Sequence, residues 1–432
     1  DASVEIDRAT IRITTNSNRQ AISVYGGNVS ISNTSISGPM QVALYAASNS
    51  SISTNISNTT ISIDNSGSVQ AIESYSPINT NDLTIRITNS SGSANYAIHT
   101  STNKYSFENT SIYMNNISGS AYGIYTSYND NLTCTINNAN IKMEHLSSSN
   151  QNGGQFYGIF GNCDNINNTN IELMTENGTD YNDTRGIYSS ADPLIGNNID
   201  IKISTKSGYF RGISASGGIF DNINVKASTS SLTNQNCDGI TIGSVPVQIK
   251  NSNIEALAPN ADYVYGINSQ GESQNKNVEN VKIKVSANMS GYGIYSSGNK
   301  DYTLNVEDVE INVDSNSQAF GITTGQTVTI SNATINSRST RTHESAVSPY
   351  TNVIGISAGA GTVTDSNITV DGTYTEALDR NNYVYGISGN VNVINSTINS
   401  SAVCFYNFSS SSTINVDSAT SLTCALGESS GD

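Results

Sequence analysis

Glu279 and Glu307 lie one repeat length apart, with Lys282, Asp308 and Glu310 close by. Paired carboxylates are the groups that hydrolyse a glycosidic bond or hold calcium for a lyase. This is the best catalytic constellation in the chain, yet its members stand among ordinary polar residues and no arginine accompanies them. A second group falls on two insertions: Arg341, His343, Glu344 and Tyr350 on one, Tyr374, Glu376, Asp379 and Arg380 on the next. Of these, Arg341, His343, Glu344, Tyr350, Tyr374 and Arg380 are the candidate ligand-binding residues, because insertions carried at one place of a repeat emerge on one edge, where repeat proteins bind.

The three histidines, His99, His145 and His343, are isolated, and Cys134, Cys163, Cys237, Cys404 and Cys424 lack metal-ligand spacing, so no metal and no cofactor are expected. Cys134–Cys163 and Cys404–Cys424 are separated by 29 and 20 residues, each close to one repeat. Either pair bridges stacked coils or stays as small buried apolar residues; Cys237 has no evident mate. The chain has no phosphate loop, nucleophile elbow or calcium-binding nonapeptide repeat.

What must position these residues is a repeat. An apolar residue, any residue, Asn or Asp, two more residues, then Ile or Val recurs as Ile31-Ser32-Asn33-Thr34-Ser35-Ile36 and Ile249-Lys250-Asn251-Ser252-Asn253-Ile254. Other copies centre on Asn58, Asn109, Asn138, Asn168, Asn280, Asp308, Asn332 and Asp365, with looser ones on Asn81, Asn197, Asn222 and Asn395. Between them comes Gly or Ala before an apolar residue, as in Ala97-Ile98, Gly186-Ile187 and Gly293-Ile294, mostly 26 to 28 residues apart. A fixed period of this size marks stacked repeats. Leu304, Val306, Val309, Ile311 and Val313 alternate with polar residues at period two, which is a strand pattern.

The expected fold is therefore all-β: a parallel β-helix, right-handed by default, of about 15 coils of roughly 26–28 residues. Residues 1–432 are expected to form one solenoid domain, with insertions near 143–156, 174–184, 337–352 and 371–383. Asn tolerates the left-handed backbone of a bend, and its amide bonds the equivalent amide about 4.8 Å away on the next coil, so the Asn positions read as a structural ladder.

Two outward columns follow. One runs Arg12, Ser37, Ser62, Arg86, Tyr113, Lys142, Glu172, Lys202, Lys226, Glu255, Lys284 and reads as a solvated salt ladder or a contact face for an acidic neighbour. The other runs Tyr96, Tyr122, Tyr157, Tyr265, Tyr292, Phe320, Tyr385, with Arg185, Arg211 and Asp238 as exceptions. Those charges place it at a bend or facing outward, where stacked rings stiffen the solenoid or bind sugar.

The charge of −16 is spread along 432 residues without a basic run, which disfavours nucleic acid. No apolar run reaches the length of a membrane helix. The opening Asp1-Ala2-Ser3-Val4-Glu5-Ile6 is what a processed secreted chain presents.

The alternation of phrases such as Tyr292-Gly293-Ile294-Tyr295-Ser296-Ser297 with Asn-cornered strands resembles the parallel β-helix passengers of bacterial autotransporter adhesins, although no C-terminal membrane-barrel segment is present. The resemblance covers almost the whole chain as a style of repeat and carries over no catalytic residue. It implies an extracellular or cell-surface adhesive or scaffolding role. The expected function is thus non-enzymatic: a structural or adhesive solenoid that stacks head to tail into a filament. Its expected partners are other copies, other surface components or glycans, and the alternative is a secreted polysaccharide lyase or glycoside hydrolase.

Overall fold

The computed structural model describes residues 3–15, 17–47, 53–102, 104–126, 133–145, 154–175, 183–191, 193–206, 208–230, 233–243, 246–271, 275–340, 352–372, 383–406 and 413–425. Every regular element among them is a β-strand, and every printed strand pairing is parallel between residues one coil apart. The chain is a β-solenoid. Its coils group into two compact units, Asp1–Ser216 and Gly217–Asp432.

The corner residue makes the coil possible. Fifteen such residues have positive φ near 50°: Arg8, Asn33, Asn58, Asp82, Asn109, Asn138, Asn168 and Asn198 in the first unit, and Asn222, Asn251, Asn280, Asp308, Asn332, Asp365 and Asn395 in the second. Asn and Asp accept this left-handed geometry at lower cost than other side-chain-bearing residues. The looser sequence assignments at Asn81 and Asn197 are each off by one, because the corner is the residue three before the inward Ile: Asp82 before Ile85, and Asn198 before Ile201.

Three kinds of hydrogen bond recur at the corners, in the combinations that each corner's residues allow. The corner side-chain amide donates to the preceding coil, as Asn58 Nδ2 does to Asn33 Oδ1 (2.7 Å), Asn198 to Asn168 (2.8 Å) and Asn280 to Asn251 (2.8 Å). Asp308 and Asp365 fit because they accept, from Asn332 and Asn395 respectively. The corner N–H donates to the following coil, as from Asn33 to the Ser57 carbonyl (3.2 Å). A Thr or Ser just after the corner points inward and donates to the carbonyl just before it: Thr34 to Ser32 (2.7 Å), Thr59 to Ser57 (2.8 Å) and Ser366 to Thr364 (2.7 Å). This inward hydroxyl satisfies itself locally, so it can be buried without cost to the stack.

The core is built of register columns. Ile36, Ile61, Ile85, Ile112, Ile141, Ile171 and Ile201 succeed one another in adjacent coils of the first unit, each at most 1% exposed. Opposite them runs the Gly or Ala strand, where the backbone approaches the facing column closely. A Cβ added at Gly293 would overlap Ile311 Cγ2 and sit 2.6 Å from the Gly321 carbonyl oxygen, and Gly186, Gly239, Gly266 and Gly321 are confined in the same way. Close backbone approach is the reason for glycine in this phrase.

The outermost described coils are less covered. In the first unit Val4, Ile6, Ile11 and Ile13 are half-buried, whereas Val29, Ile31 and Ile36 in the next coil are 1% exposed. In the second unit Val416 and Leu422 are 40% and 43% exposed, although Val393 and Ile398, their register partners, are fully buried. Disulfides join Cys134 to Cys163 (Cα–Cα 4.6 Å) and Cys404 to Cys424 (5.5 Å), the latter tying the strand Ser421–Cys424 to its neighbour. Cys237 is buried and belongs to neither disulfide.

The corner account has a direct test. Asn280→Ala keeps neither the amide bond nor the easy left-handed backbone, and Asn280→Gly loses only the first. Urea unfolding should find Asn280→Ala the less stable of the two by about 1 kcal/mol. Equal stability would show that corner geometry costs nothing.

Candidate functional site

The catalytic constellation proposed from sequence resolves into a surface salt ladder. Glu279 and Glu307 are register partners in adjacent coils, and Lys250, one coil before Glu279, contacts it at 2.6 Å. The hydrogen bond from Lys250 to Glu279, and then the charge of that carboxylate, raises the lysine pKa. Lys282 pairs with Glu310 at 3.4 Å, and Asp308 is a corner. These ion pairs are exposed and screened by solvent and salt, so each contributes little to stability. The structure brings Glu279 and Glu307 side by side in register, with the Glu279 carboxylate engaged by Lys250 of the preceding coil.

The outward charged column has the expected register. Glu172 is shared by Lys142 (3.6 Å) and Lys202 (3.4 Å), and Lys226 meets Glu255 at 3.7 Å. Alternation of sign along a parallel stack converts what would be repulsion between like neighbours into attraction.

The aromatic column lies within strands rather than at a bend; Tyr122, Tyr157 and Tyr385 are buried, and Tyr96, Tyr265, Tyr292 and Phe320 are half-buried. Tyr96 stacks on Tyr122 with centroids 4.9 Å apart, and Tyr265, Tyr292 and Phe320 stack at 4.8 and 4.7 Å. A second aromatic column beside it, Tyr125, Phe160 and Tyr188, stacks at 4.9 and 5.0 Å. Its sequence signal is the residue after Gly-Ile, as in Gly123-Ile124-Tyr125. The rings lie flat against one another, which fills their faces with protein.

Arg185 interrupts the first column without being unpaired. Its Nε and Nη2 contact Asp183 at 2.9 and 2.6 Å, its guanidinium lies 4.7 Å from the Tyr188 ring centre, and Tyr157 Oη donates to Asp183 Oδ2 at 2.5 Å. Burial, and then the Asp183 charge, pushes the Tyr157 phenol well above its ordinary range. Tyr157 therefore keeps its proton at neutral pH and serves as a donor to the carboxylate. The trio is a largely buried ion pair in which both Asp183 oxygens accept hydrogen bonds, the arrangement that makes a buried charge tolerable.

Arg341, His343, Glu344, Tyr350, Tyr374, Glu376, Asp379 and Arg380 lie outside the described residues, as do the central parts of all four insertions. His99 packs between Tyr96 and Tyr125, and burial lowers its pKa, as it does for His145. Among the described residues no group of three or more His, Cys, Asp or Glu is arranged to hold a metal.

No protein-family model matches the chain, and no curated protein matches it. Among solved structures it is similar to the A-module of the Azotobacter vinelandii mannuronan C-5 epimerase AlgE6, over 92% of this chain and 91% of that one, at 12% identity and a TM-score of 0.33.

One buried group escaped the sequence reading. Lys276 occupies an inward position between Val247 and Leu304 in the register and is 1% exposed. Its Nζ donates to Ser296 Oγ and the Ser297 carbonyl, both at 2.8 Å, and Ser296 in turn donates to the buried Gln326 Oε1 at 2.8 Å. Burial lowers its pKa to about 8. Because the unfolded chain then binds the proton more tightly, stability should rise with pH from about 8 to the ordinary lysine value near 10.4, by roughly 3 kcal/mol at most. Lys276→Met should remove that rise in urea unfolding measured across this range. An unchanged slope would place the titration elsewhere.

Proposed function

We propose that the chain is an extracellular structural solenoid, a surface scaffold whose coils extend by taking a further coil from a second copy, head to tail. The observation that carries this reading is how the outward chemistry is spent. Corner amides bond corner amides, lysines bond glutamates of the next coil, and rings stack on rings, in each unit alike. Such a surface holds coils together.

The edge coils support the second half of the proposal. Half-buried Val4, Ile6 and Ile11 in the first unit, and exposed Val416 and Leu422 in the second, are apolar residues in register positions that are fully buried in the neighbouring coils. A contact of the Val4 coil of one copy with the Val416 coil of another is heterologous and propagates. The two disulfides favour an oxidising compartment, in keeping with a secreted or cell-surface location. Other surface components remain partners of the same proposal through the exposed columns.

Sedimentation velocity over a concentration series tests it. The 432-residue chain should form growing species, and Val416→Lys with Leu422→Lys should hold it as a single small species at the same concentrations. A chain that stays monomeric throughout, or a charged variant that assembles equally well, would overturn the proposal.

A further inference from the structure

In the first unit two coils depart from their own repeat. The strands Ile78–Thr88 and Lys104–Ile117 run past the corner to a second left-handed residue, Asn89 (φ 58) and Asn116 (φ 55). These form a short extra ladder, with Asn89 Nδ2 donating to Asp64 Oδ1 at 2.9 Å and Asn116 Nδ2 to Asn89 Oδ1 at 2.5 Å. The pairing of Lys104–Ile117 with Asn140–His145 slips between Met114 and Ile117, so the chain bulges there. Bulges re-aim side chains and often accompany binding sites.

Beside this bulge lies a groove of about 230 Å³ walled by Arg86, Thr88, Tyr113, Asn115, Lys142 and Glu144. That is somewhat below the ~300–1,000 Å³ of sites for drug-sized ligands, and suits one ring. The Arg86 guanidinium lies 4.4 Å from the Tyr113 ring centre, so its planar face is held while its N–H edge stays available. Arg86 is exposed and forms no ion pair among the described residues. Lys142, by contrast, is divided between Glu144 and Glu172, each at 3.6 Å. Asn140 Nδ2 donates to Tyr113 Oη at 3.3 Å, which leaves the phenolic O–H as a donor. Glu144, on the same wall, accepts hydrogen bonds and repels a second negative charge.

A guanidinium edge and a phenol donor call for one oxyanion, a carboxylate acceptor calls for a hydroxyl, and a small groove with aromatic wall calls for a ring. We propose that this groove binds a single anionic sugar unit of a glycan, its carboxylate or sulfate held by Arg86 and Tyr113 and a ring hydroxyl by Glu144. The site stands apart from the head-to-tail proposal: it belongs to an outward strand, away from the edge coils.

Isothermal titration of the full chain with a glucuronate-containing oligosaccharide, a sulfated one, a neutral one of equal length and an acidic peptide tests the assignment. Binding is expected for at least one anionic oligosaccharide, and which one binds distinguishes carboxylate from sulfate. Arg86→Gln should weaken it tenfold or more, Tyr113→Phe severalfold, and Arg12→Gln, a charge in the same outward column, not measurably, with circular dichroism unchanged in all three. Failure of both anionic sugars to bind, equal binding of the neutral sugar, stronger binding of the acidic peptide, or equal affinity in Arg86→Gln would overturn it.

Discussion

The structure depends on parallel hydrogen bonding in register between residues one coil apart. Once the backbone is paired so that Ile254 faces Ile283 and Glu255 faces Lys284, every side chain acquires its own equivalent as a neighbour at the strand spacing. A residue type survives in such a column only if it tolerates its like or alternates with a complement. Asn does so by donating from one amide to the next, Ile by dispersion and burial, Tyr by stacking, and Lys by alternating with Glu. The low charge content of the chain follows, since an unbroken column of one sign would repel itself.

The same register sets the exceptions. Glycine opposes the Ile column because there is no room for a Cβ between adjacent coils. Lys276 replaces an apolar residue in an inward column and survives through hydroxyl and carbonyl acceptors, at the cost of a lowered pKa. Arg185 replaces a ring in the aromatic column and brings Asp183 with it. Each departure is local, and each supplies its own partner.

Much of this was legible in the sequence because a one-dimensional repeat maps directly to neighbours in space. Asn251 and Asn280 could be paired, and the outward order from Arg12 to Lys284 written down, without coordinates. The slips have physical causes. Where two candidates adjoin, as at Asn81-Asp82 and Asn197-Asn198, residue type does not decide the corner, and the distance to the inward Ile does. The aromatic column sits in strands and not at a bend, and Arg185 is tolerated there because its partner Asp183 lies two residues away on the same strand. The Arg86 groove was hidden because it arises from a departure from the repeat, the second left-handed Asn at 89 and 116, and periodicity averages departures away.

Register can be measured without unfolding the chain. In a Cys237→Ser background, Glu255→Cys with Lys284→Cys places two thiols on register partners, within the Cα separation that a disulfide spans, whereas Glu255→Cys with Lys282→Cys places them two residues out of register. Mild oxidation followed by peptide mapping is expected to give an intramolecular 255–284 disulfide and little 255–282. Cross-linking of both pairs to the same extent, or of the 255–282 pair alone, would contradict the stacking on which the ladders, the core columns and the groove all depend.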